Sequence, residues 1–236
     1  MFAIVLTFVP SLAILLFIIR SDKFREPVKL IVEAFILGCL ICFPAGLLNN
    51  LLIWSTDDPH SLSFLAGLTE ESLKFLALSI FVRPKSEFNE PMDAVVYGTL
   101  ISLGFATFEN YEYVYVYFDN IPPLQIAIVR ALTAIPMHAS CGIIMGCFLG
   151  MHVFRNSSHT IFKAIIYPIL FHGTYNYLVG ENLLLFLLFF VFTLMYTVYL
   201  YRKIRELQEN KQSEGELKKC VSNSVSNGKK VIQNRK

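Results

Sequence analysis

Seven long apolar stretches constrain the fold of this chain more than any other feature of its sequence. A helix needs about 20 apolar residues to cross the hydrocarbon core of a bilayer. Seven segments reach roughly that length, and only short polar stretches separate them: 2–19, 28–53, 61–82, 92–117, 124–151, 161–179 and 183–201. With 55% hydrophobic residues and a mean hydropathy of +0.54, the sequence predicts an all-α, multi-pass protein of the cell membrane with seven transmembrane helices.

The charges beside these segments predict how the helices are oriented. Apart from Lys74 and Arg130, every Lys and Arg lies at or beside the connections that follow the first, third, fifth and seventh segments. The connections 54–60, 118–123 and 180–182 contain no Lys or Arg. Because cytoplasmic loops are enriched in Lys and Arg, we expect the N-terminus outside the cell and the C-terminus inside.

The chain divides into a membrane domain and a polar tail. Residues 1–201 contain all seven segments, which we interpret as one transmembrane helical domain. Residues 202–236 carry ten of the twenty Lys and Arg. We expect this tail to be cytoplasmic, to extend the last helix at first, and then to be partly disordered near the lipid headgroups. The basic residues form no patch interleaved with aromatic side chains, which argues against nucleic-acid binding.

Four consecutive segments contain polar residues at positions where lipid would penalise them. A charged side chain at the centre of a transmembrane helix costs about 2.5–3.5 kcal/mol on insertion scales. Counted at about 1.5 Å per residue from the outer ends, most of these residues fall in one layer between the outer half and the middle of the membrane. They are Glu70, Glu71, Lys74, Glu109, Asn110, Glu112, Arg130, His138, His172 and Asn176. The sequence therefore predicts a shared polar cavity.

Helical spacing predicts which of these side chains meet. Glu70 and Glu71 lie four and three residues before Lys74, so the three share one face of a helix. Lys74 can neutralise one carboxylate and leave the other to act as a general base. His172 and Asn176, also four residues apart, can present an imidazole and an amide to one oxygen atom. This combination is typical of a hydrolytic site, and a purely structural Glu–Lys pair is the alternative.

In the order and spacing of these residues, the chain resembles the PrsW family of intramembrane proteases, within the wider group that contains the CAAX prenyl endopeptidases. The resemblance covers roughly residues 60–180. Its motifs are Glu70-Glu71-x-x-Lys74, the segment 89–98, Phe108-Glu109-x-x-x-Tyr113, His138, and His172 with Asn176. The chain departs from the wider group at Glu112, where a His is common, and from the family at Asn89, where the family has Asp.

The resemblance implies hydrolysis of a peptide bond in a membrane-anchored protein, such as an anti-sigma factor that is cut on its extracytoplasmic side. We expect Glu70 or Glu71, assisted by His138, to activate a water molecule. His172 and Asn176 would then stabilise the developing oxyanion. The supporting residues are Lys74, Glu109, Tyr113 and Arg130.

The sequence leaves several alternatives open. A zinc ion with a bound water is possible, and its ligands would be His138, His172, Glu71 and Glu109. No His-Glu-x-x-His pattern places two His on one helix, so a mechanism without a metal is favoured. Intramembrane Glu, Lys and His also mark ion pathways, which makes a proton- or ion-coupled transporter the alternative function. A non-catalytic scaffold, locked by its polar residues, is the third possibility.

Overall fold

The computed structural model describes residues 2–117 and 120–233, with side chains placed as far as residue 210. Within these ranges the chain is helical and contains no strand, so the predicted all-α fold is confirmed. The described α-helices are α1 (Phe2–Ser21), α2 (Val28–Asn49), α3 (Pro59–Leu62), α4 (Leu65–Ala77), α5 (Pro91–Glu112), α6 (Pro123–Leu132), α7 (Ala134–Arg155), α8 (Thr160–Leu178) and α9 (Leu183–Gln233).

Five helical segments in the described ranges are long and apolar enough to cross a membrane. They are Phe2–Ser21, Val28–Trp54, Pro91–Tyr117, Pro123–Arg155 and Leu183–Asn210. The other two segments predicted from the sequence coincide with α8 and with α4 and its continuation to Val82. α4 carries Glu70, Glu71 and Lys74, and α8 carries Lys163, His172 and Asn176, which lowers the hydropathy of both helices. The count of seven spans and the orientation of the helices remain predictions.

Three helices continue into a π-helical turn. α2 continues over Asn50–Trp54, α4 over Leu78–Val82 and α5 over Tyr113–Tyr117. Such turns are rare and are often found at functional sites. Here they lengthen the helices, so that α2 and α5, of 22 residues each, become continuous segments of 27 residues.

The segment predicted as one span at 124–151 is two helices, α6 and α7. The break is at Thr133, whose φ of −124° and ψ of −63° lie outside the α-helical range. Pro136 supplies the physical reason, because it has no N–H to donate to the carbonyl of Leu132 and its ring crowds that carbonyl. α7 begins directly after the break, and His138 lies in its first two turns.

α5 and α7 form the centre of the bundle. Of the most apolar 18 residues, 89% are buried in the α5 segment and 83% in the α6–α7 segment, against 17% in α1. Glycines allow the two backbones to touch: a Cβ on Gly146 would lie 2.3 Å from the carbonyl oxygen of Ala94. At Gly142 it would lie 2.6 Å from the carbonyl oxygen of Gly98. This close approach is typical of small residues spaced four apart in membrane helices.

Candidate active site

One face of α4 holds two carboxylates and an ammonium group away from solvent and lipid. Glu70 is 2% exposed, and both Glu71 and Lys74 are fully buried. Lys74 Nζ donates to Glu71 Oε1 over 2.7 Å and lies 3.6 Å from Glu70 Oε2. The three side chains therefore meet, as their spacing along the helix predicts.

α8 lies directly against α4 because each helix has a glycine at the contact. A Cβ on Gly67 would lie 2.4 Å from the backbone nitrogen of Gly173. This close packing brings His172 Nδ1 to 2.8 Å from Glu71 Oε1. Because a carboxylate accepts and does not donate, Nδ1 carries the proton of this bond. Nε2 of His172 is left to face another group.

His138, at the start of α7, bridges Lys74 and Glu109. Its Nδ1 lies 2.9 Å from Lys74 Nζ, and its Nε2 lies 2.9 Å from Glu109 Oε2. An ammonium group has no lone pair, so Nδ1 accepts from Lys74 and the Nε2–H donates to Glu109. Both nitrogens are thus engaged with protein groups. The His138 ring meets the ring of His172 edge to face, with centroids 4.7 Å apart.

Arg130, on α6, binds the cluster through Glu109 and Asn110 of α5. Its Nη2 donates to Glu109 Oε2 over 2.6 Å, and its Nε donates to Asn110 Oδ1 over 2.7 Å. Its guanidinium carbon lies 3.9 Å from the centre of the Tyr113 ring. Asn110 in turn donates from Nδ2 to the backbone carbonyl of Thr7 over 3.0 Å, which ties α5 to α1.

These contacts form one continuous run of hydrogen bonds, which we call the polar chain. It consists of His172, Glu71, Lys74, His138, Glu109, Arg130, Asn110 and the carbonyl of Thr7. It connects α8, α4, α7, α5, α6 and α1. Buried charges are normally paired, and in the polar chain two carboxylates match two cations. Glu70 lies beside the chain as a third carboxylate.

Glu70 and Glu71 each keep one carboxylate oxygen free of protein donors. Asn49 Nδ2 donates to Glu70 Oε1 over 3.0 Å, and the hydroxyl of Thr69 donates to the Asn49 side chain. The Oε2 atoms of Glu70 and Glu71 are buried and accept no hydrogen bond from any described part of the chain. Buried acceptors normally have a partner, so these two oxygens are the atoms available to a water molecule or a substrate.

The structure places the remaining predicted residues around the cluster with different degrees of contact. Tyr113 lies against Arg130, as a supporting residue would. Asn176 is half-buried one turn beyond His172, and its side chain makes no hydrogen bond within the residues that the structure describes. Glu112 lies 3.7 Å from the thiol of Cys42 instead of joining the polar chain.

The sequence analysis missed Asn49 and Thr69. Asn49 belongs to an Asn-Asn pair near the end of an otherwise apolar segment, and Thr69 directly precedes the two acids. The isolated polar residues in α2 were a usable signal, because an amide in a membrane helix normally needs a partner.

A zinc ion is the metal that these residue types would suit. Glu70, Glu71, His138 and His172 each offer one ligand atom, and the four atoms lie within 4.8 Å of one another. Glu109, included as a ligand in the sequence analysis, is outside this set, and Glu70 takes its place. Lys74 conflicts with a metal, since its ammonium group already contacts Glu71 Oε1 and His138 Nδ1. With Lys74 in this position, Glu71 Oε1 and His138 Nδ1 are not available as ligands.

The chain has close relatives among known proteases. Residues 26–201 match the sequence model of a family described as "PrsW family intramembrane metalloprotease". Protease PrsW of Bacillus subtilis is 35% identical over 186 residues, which cover 75% of this chain and 83% of the relative. Protease PrsW of Oceanobacillus iheyensis is 32% identical over 213 residues, covering 85% and 94%. That of Clostridioides difficile is 32% identical over 184 residues, covering 73% and 77%. No solved structure matches the chain.

Proposed function

Because the chain belongs to the PrsW family of intramembrane proteases, we propose that Glu70 activates a water molecule that cleaves a membrane-anchored protein. The chain is a multi-pass protein of the cell membrane and acts on protein substrates. The observation that supports the finer proposal is the pair of buried Oε2 atoms on Glu70 and Glu71, which accept no hydrogen bond from the described residues.

Glu70 is the better candidate for the base because its neighbours hold it less strongly. Glu71 Oε1 accepts from both Lys74 and His172, at 2.7 and 2.8 Å. Glu70 accepts one bond from the neutral amide of Asn49, and the ammonium group lies 3.6 Å away. A carboxylate with two charge-assisted hydrogen bonds is a weaker proton acceptor than one with a single neutral donor. Glu71 then serves to position Lys74 and His172.

The reaction follows from these positions. Glu70 takes a proton from water while the water oxygen attacks the carbonyl carbon of the scissile bond. His172, whose imidazolium form is stabilised by the carboxylates beside Nδ1, donates from Nε2 to the oxyanion. Glu70 then gives its proton to the leaving amine as the C–N bond breaks. We assign Asn176, one turn further along α8, as the second donor to the oxyanion.

His138 has a positioning role in this scheme. Both of its nitrogens contact protein groups, Lys74 on one side and Glu109 on the other. His138 therefore holds Lys74 next to Glu71 and does not bind the water itself. His138 donates to Glu109, Arg130 donates to Glu109 in turn, and Tyr113 lies against Arg130.

We propose as substrate a single-span protein that is cut on its extracytoplasmic side, as an anti-sigma factor would be. The loop charges predict that the end of the bundle with the connections 54–60, 118–123 and 180–182 faces outward. The sequence predicts that the cluster lies between that end and the middle of the membrane. The family resemblance suggests the substrate class.

The test is cleavage of single-span candidate substrates by the full-length protein in proteoliposomes. We expect the Glu70→Gln variant to lose about 10²–10⁴-fold in cleavage rate, the usual contribution of a positioned base, and Glu71→Gln, which removes a positioning group, to lose less. Glu33→Gln is the matched control, because Glu33 is exposed on α2, and it should cleave at the wild-type rate. A wild-type rate in Glu70→Gln would refute the proposal.

Two further measurements separate the alternatives. A chelator that binds zinc should leave the cleavage rate unchanged. If the chelator abolishes cleavage and added zinc restores it, the mechanism uses a metal instead. Ion flux into the same proteoliposomes without a cleaved product would identify a transporter.

A further inference from the structure

A second group of carboxylates lies far from the polar chain, where α2 and α5 begin. It consists of Asp22 after α1, Glu26 before α2 and Asp93 in the first turn of α5. One oxygen from each lies within 4.8 Å of the other two. Asp93 and Glu109 are both on α5 and 16 residues apart, so about 24 Å separates this group from the candidate active site. The two sites are independent.

Each of these carboxylates is held in place through one of its oxygens. Asp22 Oδ1 accepts from Gln208 Nε2 of α9 over 2.6 Å. Asp93 Oδ2 accepts from the backbone nitrogen of Glu90 over 2.8 Å and so caps the start of α5. Glu26 Oε2 accepts from the hydroxyl of Tyr97. These bonds fix the three side chains so that they point at one another.

The other oxygens of Asp22 and Asp93 have no hydrogen-bond donor among the described residues. Asp22 is 8% exposed and Asp93 is 1% exposed. Asp22 Oδ2 and Asp93 Oδ1 are buried and accept no hydrogen bond from any described residue. Among the described side chains, no Lys or Arg pairs with any of the three carboxylates, and neighbouring Lys23 pairs with Glu209 at 3.9 Å. The group therefore has three acids and no cation of its own.

Such a group is costly unless a cation or protons neutralise it. Buried charges in proteins are normally paired or coordinate a metal. Burial raises the pKa of Asp22 and of Glu26, which is the direction expected when like charges lose their water. All the available ligand atoms are oxygens. Ca²⁺, Mg²⁺ and Mn²⁺ prefer oxygen ligands more strongly than zinc does. Glu26 is only half-buried and leaves a path for an ion from solvent.

We propose that Asp22, Glu26 and Asp93 bind one oxygen-preferring divalent cation, which fastens the starts of α2 and α5 to the end of α1. The bond from Asp22 to Gln208 extends this link to α9. The cation has a structural role at this end of the bundle and takes no part in peptide hydrolysis.

The test is a titration of the purified full-length protein with Mn²⁺ alone, with free Mn²⁺ measured by electron paramagnetic resonance. We expect one saturable site per chain, from which Mg²⁺ or Ca²⁺ displaces the probe. Asp22→Asn and Asp93→Asn should each weaken Mn²⁺ binding by about tenfold or more. Asparagine keeps an oxygen for the donors that hold each side chain, so both variants should fold.

Two controls locate the site. Glu33→Gln removes an exposed carboxylate from the same end of α2, and Glu71→Gln alters the candidate active site; both should bind Mn²⁺ as the wild type does. If Asp93→Asn fails to fold, Glu26→Gln decides the matter, because Glu26 is half-buried and caps no helix. Absence of saturable binding, or binding that Asp22→Asn and Glu26→Gln leave unchanged, would overturn the proposal.

Discussion

Replacing Lys74 with methionine measures how strongly the polar chain holds the helices together. Lys74 is fully buried, and its Nζ lies 2.7 Å from Glu71 Oε1 and 2.9 Å from His138 Nδ1. The ring of Phe105 lies 4.1 Å from the same nitrogen. Methionine keeps the length and the apolar stem of the side chain but removes the ammonium group. Glu71 then loses its cation, and His138 loses the donor to Nδ1.

The expected cost is large because one charge of a buried pair remains. Removing one partner of a buried ion pair destabilises a protein by about 3–5 kcal/mol, whereas removing both partners together costs far less. We therefore expect Lys74→Met to lower the free energy of unfolding by about 3–5 kcal/mol. Adding Glu71→Gln should restore about 1–3 kcal/mol of this loss, since contacting residues couple by that amount.

The assay is reversible unfolding of the purified protein in mixed micelles, followed by far-ultraviolet circular dichroism. Lys29→Met is the matched control, because the Lys29 side chain is 88% exposed and pairs with Glu33 at 3.8 Å. It should change the free energy of unfolding by no more than about 0.5 kcal/mol. The reasoning is refuted if Lys74→Met is as stable as the wild type, or if the double variant loses the sum of the two single losses.

Three other changes test separate parts of the structure. Gly67→Ala should lower the free energy of unfolding by about 1–3 kcal/mol and slow cleavage, because the added Cβ would lie 2.4 Å from the backbone of α8. Gly46→Ala is the control: its added Cβ would have no neighbouring atom within 4 Å, so neither stability nor cleavage should change. Arg130→Lys should slow cleavage, because the side chain of lysine has one nitrogen and cannot bind both Glu109 and Asn110 as the guanidinium does. An unchanged cleavage rate would show that these two contacts of Arg130 do not support the site. Burial raises the pKa of Asp22 above its ordinary 3.8, so the folded state binds this proton more tightly than the unfolded chain does, and the free energy of unfolding should fall as pH rises above about 4. Micelle unfolding at a series of pH values, with a chelator present so that no cation is bound, should show this fall, and Asp22→Asn should reduce it; a fall of equal size in that variant would contradict the assignment.

The sequence predicts well what depends on neighbours along the chain. The helices follow from the length of the apolar segments, and the shared face of Glu70, Glu71 and Lys74 follows from helical spacing. The depth argument predicts that acids and imidazoles from four segments meet, and the structure brings Glu70, Glu71, His138 and His172 within 4.8 Å of one another. These predictions need no knowledge of how the helices are rotated.

The pairing of side chains between helices could not be predicted in the same way. The sequence predicts that His138 assists the water, and the structure adds that its ring lies between Lys74 and Glu109. Asn49 reaches Glu70 from a helix that is close to it only in the folded bundle. The break at Thr133 follows from Pro136, yet a proline can also be accommodated in a continuous membrane helix. Such details depend on the packing of the whole bundle.

The order of the helices along the chain determines when the polar chain can be complete. Its first contact is the carbonyl of Thr7 on α1, and its last member, His172, arrives only with α8. A polypeptide still emerging from the ribosome has the two acids in the membrane long before the imidazole that completes them. In the proposed mechanism, the site is therefore complete only after α8 has joined the bundle.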